Sequence, residues 1–107
     1  TNKPVRFSQD ILKGLQLDQF FFQVYGGNSF EEKKPHPIGV DTLLAESGAD
    51  RAHTWMVGDS SVDVLTARNA QIRAAGVTYG LKPESLTEAP PDILLDSLAA
   101  LPPHILD

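Results

Sequence analysis

The sequence has no cysteine, no long apolar run and few basic residues. Without cysteine it can form neither a disulfide nor a thiolate site, which fits a reducing compartment, so the cytoplasm is the expected location. No segment approaches the ~20 apolar residues of a membrane-spanning helix. Nine Lys and Arg residues against fourteen Asp and Glu residues give a net charge of −5. Nucleic acids and anionic membranes bind clustered positive charge, so the composition argues against both as partners.

The sequence also lacks a methionine at its first position, which is Thr1. We therefore expect the native N-terminus to lie upstream, and a targeting signal can be neither assigned nor dismissed. A chain of 107 residues with 41% hydrophobic content can form one small domain, residues 1–107, with a modest core. No internal repeat or long linker divides it.

Apolar segments typical of strands alternate with segments of helical periodicity. The predicted strands are residues 21–25, 54–57, 72–78 and 92–96. The predicted helices start at Ser8 (with Ile11, Leu12 and Leu15 on one face), at Pro37 (closed by Gly48), at Ser61 (ending near Ala70) and at Ser97. Such alternation indicates a doubly wound, Rossmann-like parallel α/β sheet with helices on both faces.

The stretch 54–63 combines a buried strand with two acids. Its apolar residues 55–57 predict a parallel strand covered on both faces, and Gly58 allows a turn at its end. Asp59 then lies at the carboxyl edge of the sheet, where ligands bind in open α/β sheets. Asp63 follows one helical turn later and can face the same point.

Two interpretations of these acids remain open from this stretch alone. Mg²⁺ prefers carboxylate oxygens and keeps several waters, so two acids at a strand end can hold it when a phosphate completes the shell. Alternatively, Asp59 or Ser60 is the N-cap of the following helix, and Asp63 is a first-turn acid that complements the helix dipole.

Further polar residues are predicted at the same edge of the sheet. Thr1 with Asn2 offers hydrogen-bond donors, and Lys34 offers an ammonium group. A transferring phosphoryl group needs donors for its oxygens, a cation against its charge and a metal held by acids such as Asp59 and Asp63. The combination predicts a phosphoryl-transfer site.

Four segments carry a family resemblance: TNKP at 1–4, GGNSFEEKKPHP at 26–37, VGDSSVDVLTARNA at 57–70 and GVTYG at 76–80. In order and spacing, from residue 1 to about 96, they resemble the haloacid dehalogenase-like hydrolases, and most closely the phosphoglycolate phosphatases. The resemblance implies a Mg²⁺-dependent phosphomonoesterase for a small phosphorylated metabolite such as 2-phosphoglycolate. In this family an aspartate attacks phosphorus, and water hydrolyses the aspartyl-phosphate.

The resemblance also implies a role for each matching residue. Thr1 would donate a hydrogen bond to phosphoryl oxygens beside the backbone amide of Asn2. Lys34, directly before proline, would offset the charge of the phosphate and the nucleophile. Asp59 would ligate Mg²⁺, and Asp63 would support that ligation directly or through water.

The sequence departs from the family in one decisive respect: no Asp-x-Asp motif, which carries the nucleophile on the family's first strand, occurs in the 107 residues. By resemblance the chain is the C-terminal part of a phosphatase core, without the first strand and the cap domain, and inactive on its own. Its open sheet edge is expected to pair with the missing N-terminal segment or with a strand-swapped copy, or the chain is expected to re-pair its own sheet. A smaller departure is Gln71, where relatives often have a glycine.

Two other functions compete with this interpretation. A receiver-like signalling domain also combines strand-end acids with a Lys-Pro dipeptide, but in receivers Lys-Pro comes last, whereas Lys34 precedes both Asp59 and Asp63 here. A non-catalytic regulatory or interaction module derived from a phosphatase is compatible with every residue of the chain.

Overall fold

The computed structural model describes residues 1–21, 23–79 and 83–105. Its helices and strands alternate as predicted for an α/β fold. The α-helices are α1 (Val5–Gly14), α2 (Ile38–Ser47), α3 (Ser61–Ala70) and α4 (Pro102–Ile105); the strands are β1 (Trp55–Gly58), β2 (Arg73–Val77) and β3 (Ile93–Leu95). Short 3-10 helices lie at Asp18–Phe20, Arg51–His53, Pro83–Thr87 and Leu98–Ala100. None of the helices in the described ranges is long and apolar enough to cross a membrane.

The three strands form one parallel sheet in the order β1-β2-β3. Trp55 lies opposite Arg73, and Gly58 lies opposite Gly76. Helix α3 connects β1 to β2, the crossover that parallel strands require. Because β1 ends at Gly58, residue 59 and the start of α3 lie at the carboxyl edge of the sheet.

The core lies on both faces of this sheet. On one face, helix α3 packs against β1 and β2, α2 packs against α3, and the 83–87 helix packs against α3 and β2. The buried side chains there are Leu44, Val64, Ala67, Ala70, Ile72, Ala74 and Leu86. On the other face, the C-terminal segment contributes Leu101, which packs with Ala75, Val77 and Leu95. The prediction of a parallel sheet with core packing on both faces is confirmed, but the cover is incomplete, since Val57 of β1 and Leu94 of β3 are 40% and 60% exposed.

Helix ends follow the predicted signals in the second half of the chain. Gly48 closes α2 in a left-handed conformation with φ 70°. Helix α3 begins after the extended Ser60 and ends at Gln71, which adopts φ 59°. A residue with a β-carbon is strained in this left-handed conformation.

The predicted start of the first helix is wrong. Helix α1 begins at Val5, whose amide donates to the side-chain oxygen of Asn28 at 2.9 Å, so a residue distant in sequence caps it. Ser8 lies inside the helix, and its hydroxyl donates to the Pro4 carbonyl. On the predicted apolar face of this helix Leu12 is half-buried, whereas Ile11 and Leu15 are 50% and 63% exposed.

The strand predicted at residues 21–25 is also absent from the described part of the segment, which excludes Phe22. Its backbone contacts the start of the chain instead: the Tyr25 carbonyl accepts a hydrogen bond from the Thr1 amine, and the Gly27 amide donates to the Lys3 carbonyl. Within the described ranges, β1 is paired with β2 alone. Its second edge is open, and Val57 is 40% exposed.

Candidate functional site

A cavity of about 760 Å³ opens at the carboxyl end of β1. All five residues predicted from the sequence as site residues line it: Thr1, Asn2, Lys34, Asp59 and Asp63. They come from the first residues of the chain, the loop before α2 and the turn between β1 and α3. The fold therefore brings together side chains up to 62 positions apart, from Thr1 to Asp63.

Asp63 is held in the first turn of α3 and is only 7% exposed. Its Oδ2 accepts hydrogen bonds from the Asp59 amide at 3.1 Å and from the Ser60 hydroxyl at 3.4 Å. A side chain that reaches back from the third helical position to an amide before the helix resembles the capping box. The structural interpretation of Asp63 is therefore correct in part, because this carboxylate organises the start of the helix.

The other oxygen of Asp63 binds Lys34. Lys34 Nζ lies 2.5 Å from Asp63 Oδ1, and the two side chains are 24% and 9% exposed. An ion pair shielded to this degree is stronger than an exposed one because solvent screens it less. Both oxygens of Asp63 are engaged, so this residue fixes the lysine and the turn at Asp59.

The backbone of the lysine loop is held by two asparagine side chains. Asn2 Oδ1 accepts from the Lys34 amide at 3.0 Å, and Asn2 Nδ2 donates to the Lys34 carbonyl at 3.4 Å. Asn69 Nδ2 on α3 donates to the Pro35 carbonyl at 2.9 Å. The sequence predicted a role for the Asn2 backbone but none for these side chains.

A hydrogen bond within the first residues of the chain orients the side chain of Thr1. Its Oγ1 accepts a hydrogen bond from the Lys3 amide at 3.2 Å. Gly27 is required here because a β-carbon at this position would lie 2.2 Å from the Asn2 carbonyl oxygen.

The far wall of the cavity comes from the segment after β2, which sequence reasoning missed. Glu84, Ser85 and Glu88 line it. The Ser61 amide, at the start of α3, donates to Ser85 Oγ at 2.9 Å. Glu84 and Ser85 lie in the 3-10 helix Pro83–Thr87 and Glu88 follows it, and no local signal in this segment links it to α3.

The carboxylates of the cavity fit part of a Mg²⁺ shell. Within the described part of the chain no three His, Asp or Glu side chains converge as a metal-binding group. Mg²⁺ commonly binds through one or two carboxylates, with phosphate and water oxygens completing six ligands. Asp59 lines the cavity and is suited to be such a ligand. Asp63 accepts a hydrogen bond from the Asp59 amide and is therefore suited to support Asp59 in that role.

Comparison with known proteins identifies the family. Residues 1–77 match the family model described as haloacid dehalogenase-like hydrolase. The chain belongs to the haloacid dehalogenase-like hydrolase family. Within this family, the phosphoglycolate phosphatase of Vibrio vulnificus (strain YJ016) is 41% identical over 102 residues, which cover 94% of this chain and 45% of that protein. The phosphoglycolate phosphatase of Pseudomonas fluorescens (strain Pf0-1) is 33% identical over 108 residues, covering 100% and 40%.

Solved haloacid dehalogenase-like structures share the fold. The crystal structure of a predicted phosphoglycolate phosphatase from Haemophilus somnus 129pt superposes with a TM-score of 0.88 at 33% identity, over 94% of this chain and 45% of that one. A putative haloacid dehalogenase-like hydrolase from Bacteroides fragilis gives a TM-score of 0.85 at 26% identity, over 94% and 49%. The chain thus spans less than half the length of these relatives.

Proposed function

We propose that the chain forms part of a Mg²⁺-dependent phosphomonoester hydrolase that acts on a small phosphorylated metabolite of the 2-phosphoglycolate type. The observation that carries the proposal is the meeting of Thr1, Lys34 and Asp59 in one cavity at the carboxyl end of β1. A hydroxyl, an ammonium and a carboxylate are the groups that phosphoryl transfer requires around its transition state. The phosphoglycolate phosphatases among the relatives support the substrate class.

Each side chain has a role that follows from its contacts. Thr1 Oγ1 accepts from the Lys3 amide and keeps its own hydrogen for a phosphoryl oxygen, beside the Asn2 amide. Lys34, held by Asp63, offsets the charge of the phosphate. Asp59 would ligate Mg²⁺ with support from Asp63, and the bound ion would supply charge stabilisation for the phosphoryl oxygens.

The attacking group belongs to a second segment, since the chain has no Asp-x-Asp motif. The open edge of β1 ends beside the cavity and suits an added strand, which would bring an aspartate next to Asp59. That strand would come from the N-terminal segment of a longer protein. A strand-swapped copy of this chain could cover the open edge of β1 but would bring no Asp-x-Asp motif. The chain alone is inactive in this proposal, because the covalent route needs a nucleophile.

A complementation assay tests the proposal. The chain is mixed with a polypeptide that carries the Asp-x-Asp strand and the cap of a phosphoglycolate phosphatase, and Mg²⁺-dependent phosphate release from 2-phosphoglycolate is measured. We expect activity in the mixture, none in either part alone, and loss of activity with Asp59→Asn. Asp10→Asn, an exposed carboxylate on α1, is the matched control and leaves activity unchanged. Absence of activity with an authentic N-terminal half contradicts the proposal.

A non-catalytic regulatory or interaction module is the second candidate, favoured by the lack of an Asp-x-Asp motif in the chain. It predicts that the complemented chain binds Mg²⁺ and phosphate without releasing phosphate from any ester. For either function we propose a cytoplasmic location, which suits a sequence without cysteine.

A further inference from the structure

Helix α3 contacts both the ammonium group of Lys34 and the backbone of the next residue, Pro35. Asp63 of α3 binds the ammonium group at 2.5 Å. Asn69 of the same helix donates to the carbonyl of Pro35 at 2.9 Å. One rigid element therefore contacts both the head of the lysine and the main chain that carries it.

The side chain of Asn2 completes this arrangement. It binds the Lys34 amide and the Lys34 carbonyl, as a neighbouring strand would. Together the two asparagines hold three consecutive backbone groups: the amide and carbonyl of Lys34 and the carbonyl of Pro35. A lysine side chain has four rotatable bonds, so a fixed backbone is needed for the ammonium to stay at one point.

We infer that Asn69 is a positioning residue for Lys34, acting through the Pro35 carbonyl together with the side chain of Asn2. This inference rests on the proposed function for the importance of Lys34, but the contacts that carry it are independent of catalysis. Asn69 does not line the cavity at the end of β1, so it would not touch the phosphate. Its effect is transmitted through the loop that carries Lys34.

Lysine labelling in the chain as it stands tests the inference. The protein is treated briefly with acetic anhydride, and mass spectrometry compares acetylation of Lys34 with that of the adjacent, exposed Lys33. In the wild type, the ion pair with Asp63 protects Lys34. Asn69→Ala should raise the ratio of Lys34 to Lys33 labelling about two- to tenfold, the factor expected for the loss of one net hydrogen bond. Asn69→Gln, which keeps the amide, should restore much of the protection.

Arg68→Ala is the matched control, since Arg68 is the neighbouring exposed residue of α3 and binds Asp92 and the Pro90 carbonyl, away from the lysine loop. It should leave the labelling ratio unchanged. Asn2→Ala removes two hydrogen bonds and should raise the labelling ratio at least as much as Asn69→Ala. It provides the test if Asn69→Ala has a lower melting temperature than the wild type. A ratio unchanged by both asparagine variants, in protein that melts like the wild type, overturns the inference. Because phosphatase activity is not measured, this outcome is separate from failure of the proposed function.

Discussion

The carboxylate of Asp63 fills the space that a side chain at Gly58 would occupy. A β-carbon built on Gly58 would lie 2.2 Å from Asp63 Oδ2. The glycine at the end of β1 is therefore required by close packing against the acid five positions later. The sequence had suggested that it eases a turn, but its φ is not in the left-handed range.

Replacing Gly58 by alanine should displace Asp63 and release Lys34. We expect Gly58→Ala to lower the free energy of unfolding by about 1–3 kcal/mol, the usual range for overpacking a buried site. Urea denaturation measures this change. Gly14→Ala is the control, because no atom lies within 4 Å of the added carbon and alanine favours a helix by about 0.5–1 kcal/mol. Equal effects of the two variants contradict the packing explanation.

Replacing Gln71 by glycine should stabilise the protein. It ends α3 with φ 59°, a conformation that costs a residue with a β-carbon about 1–2 kcal/mol. We expect Gln71→Gly to raise the free energy of unfolding by about 1 kcal/mol. Gly48→Ala, at φ 70°, should have the opposite sign. The same denaturation experiment checks both, and a destabilised Gln71→Gly protein would show that other contacts of Gln71 dominate.

Asp92 should make stability depend on pH in the acidic range. Burial opposes its ionisation, but hydrogen bonds from the Ala74 amide and Arg68, with the charges of Arg68 and Arg73, outweigh this and lower the pKa of Asp92. A lowered folded-state pKa means that the stabilisation is complete above the unfolded value, near 3.8, and is lost as the pH falls through the lower, folded value.

Asp92→Asn is therefore expected to destabilise the protein at pH 7 by about 1 kcal/mol, a modest value because the carboxylate is 38% exposed. Melting temperatures of variant and wild type should converge as the pH falls from 5 to 2. Asp41→Asn is the control: Asp41 pairs with Arg51 and is 45% exposed, with no bond from a backbone amide among its described contacts. A gap between the Asp92→Asn and wild-type proteins that stays constant with pH would contradict this role of Asp92.

Local signals predicted the elements whose partners are near in sequence. Helix α3 was predicted from Ser61 to Ala70 because its apolar pattern and flanking residues lie within one stretch. Helix α1 was misplaced because its cap, Asn28, lies 23 residues from Val5. The described residues of the segment predicted as a strand at 21–25 form no ladder with β1; Tyr25 instead accepts a hydrogen bond from Thr1 and contacts Glu46 and Phe30.

The site, like the fold, was predicted only in part. Its functional groups were identifiable because phosphoryl transfer demands particular residue types at strand ends, and all five line one cavity. The contacts that hold these groups in place could not be identified from the sequence, since Asn69, for example, binds the Pro35 carbonyl 34 positions away. Such contacts depend on the folded geometry of two elements and leave no pattern in either one.

A comparison of Lys34 with its neighbour Lys33 tests most directly whether the cavity is a phosphoryl-transfer site. Both carry the same charge in the same loop, but Lys34 binds Asp63 in the cavity and Lys33 is exposed. Phosphate release from 2-phosphoglycolate is measured for the complemented chain with Lys34→Ala or Lys33→Ala. We expect Lys34→Ala to lower kcat/KM by about 100-fold or more, as for loss of one preorganised donor, and Lys33→Ala to change it little. Equal losses, or full activity of Lys34→Ala, would contradict this expectation.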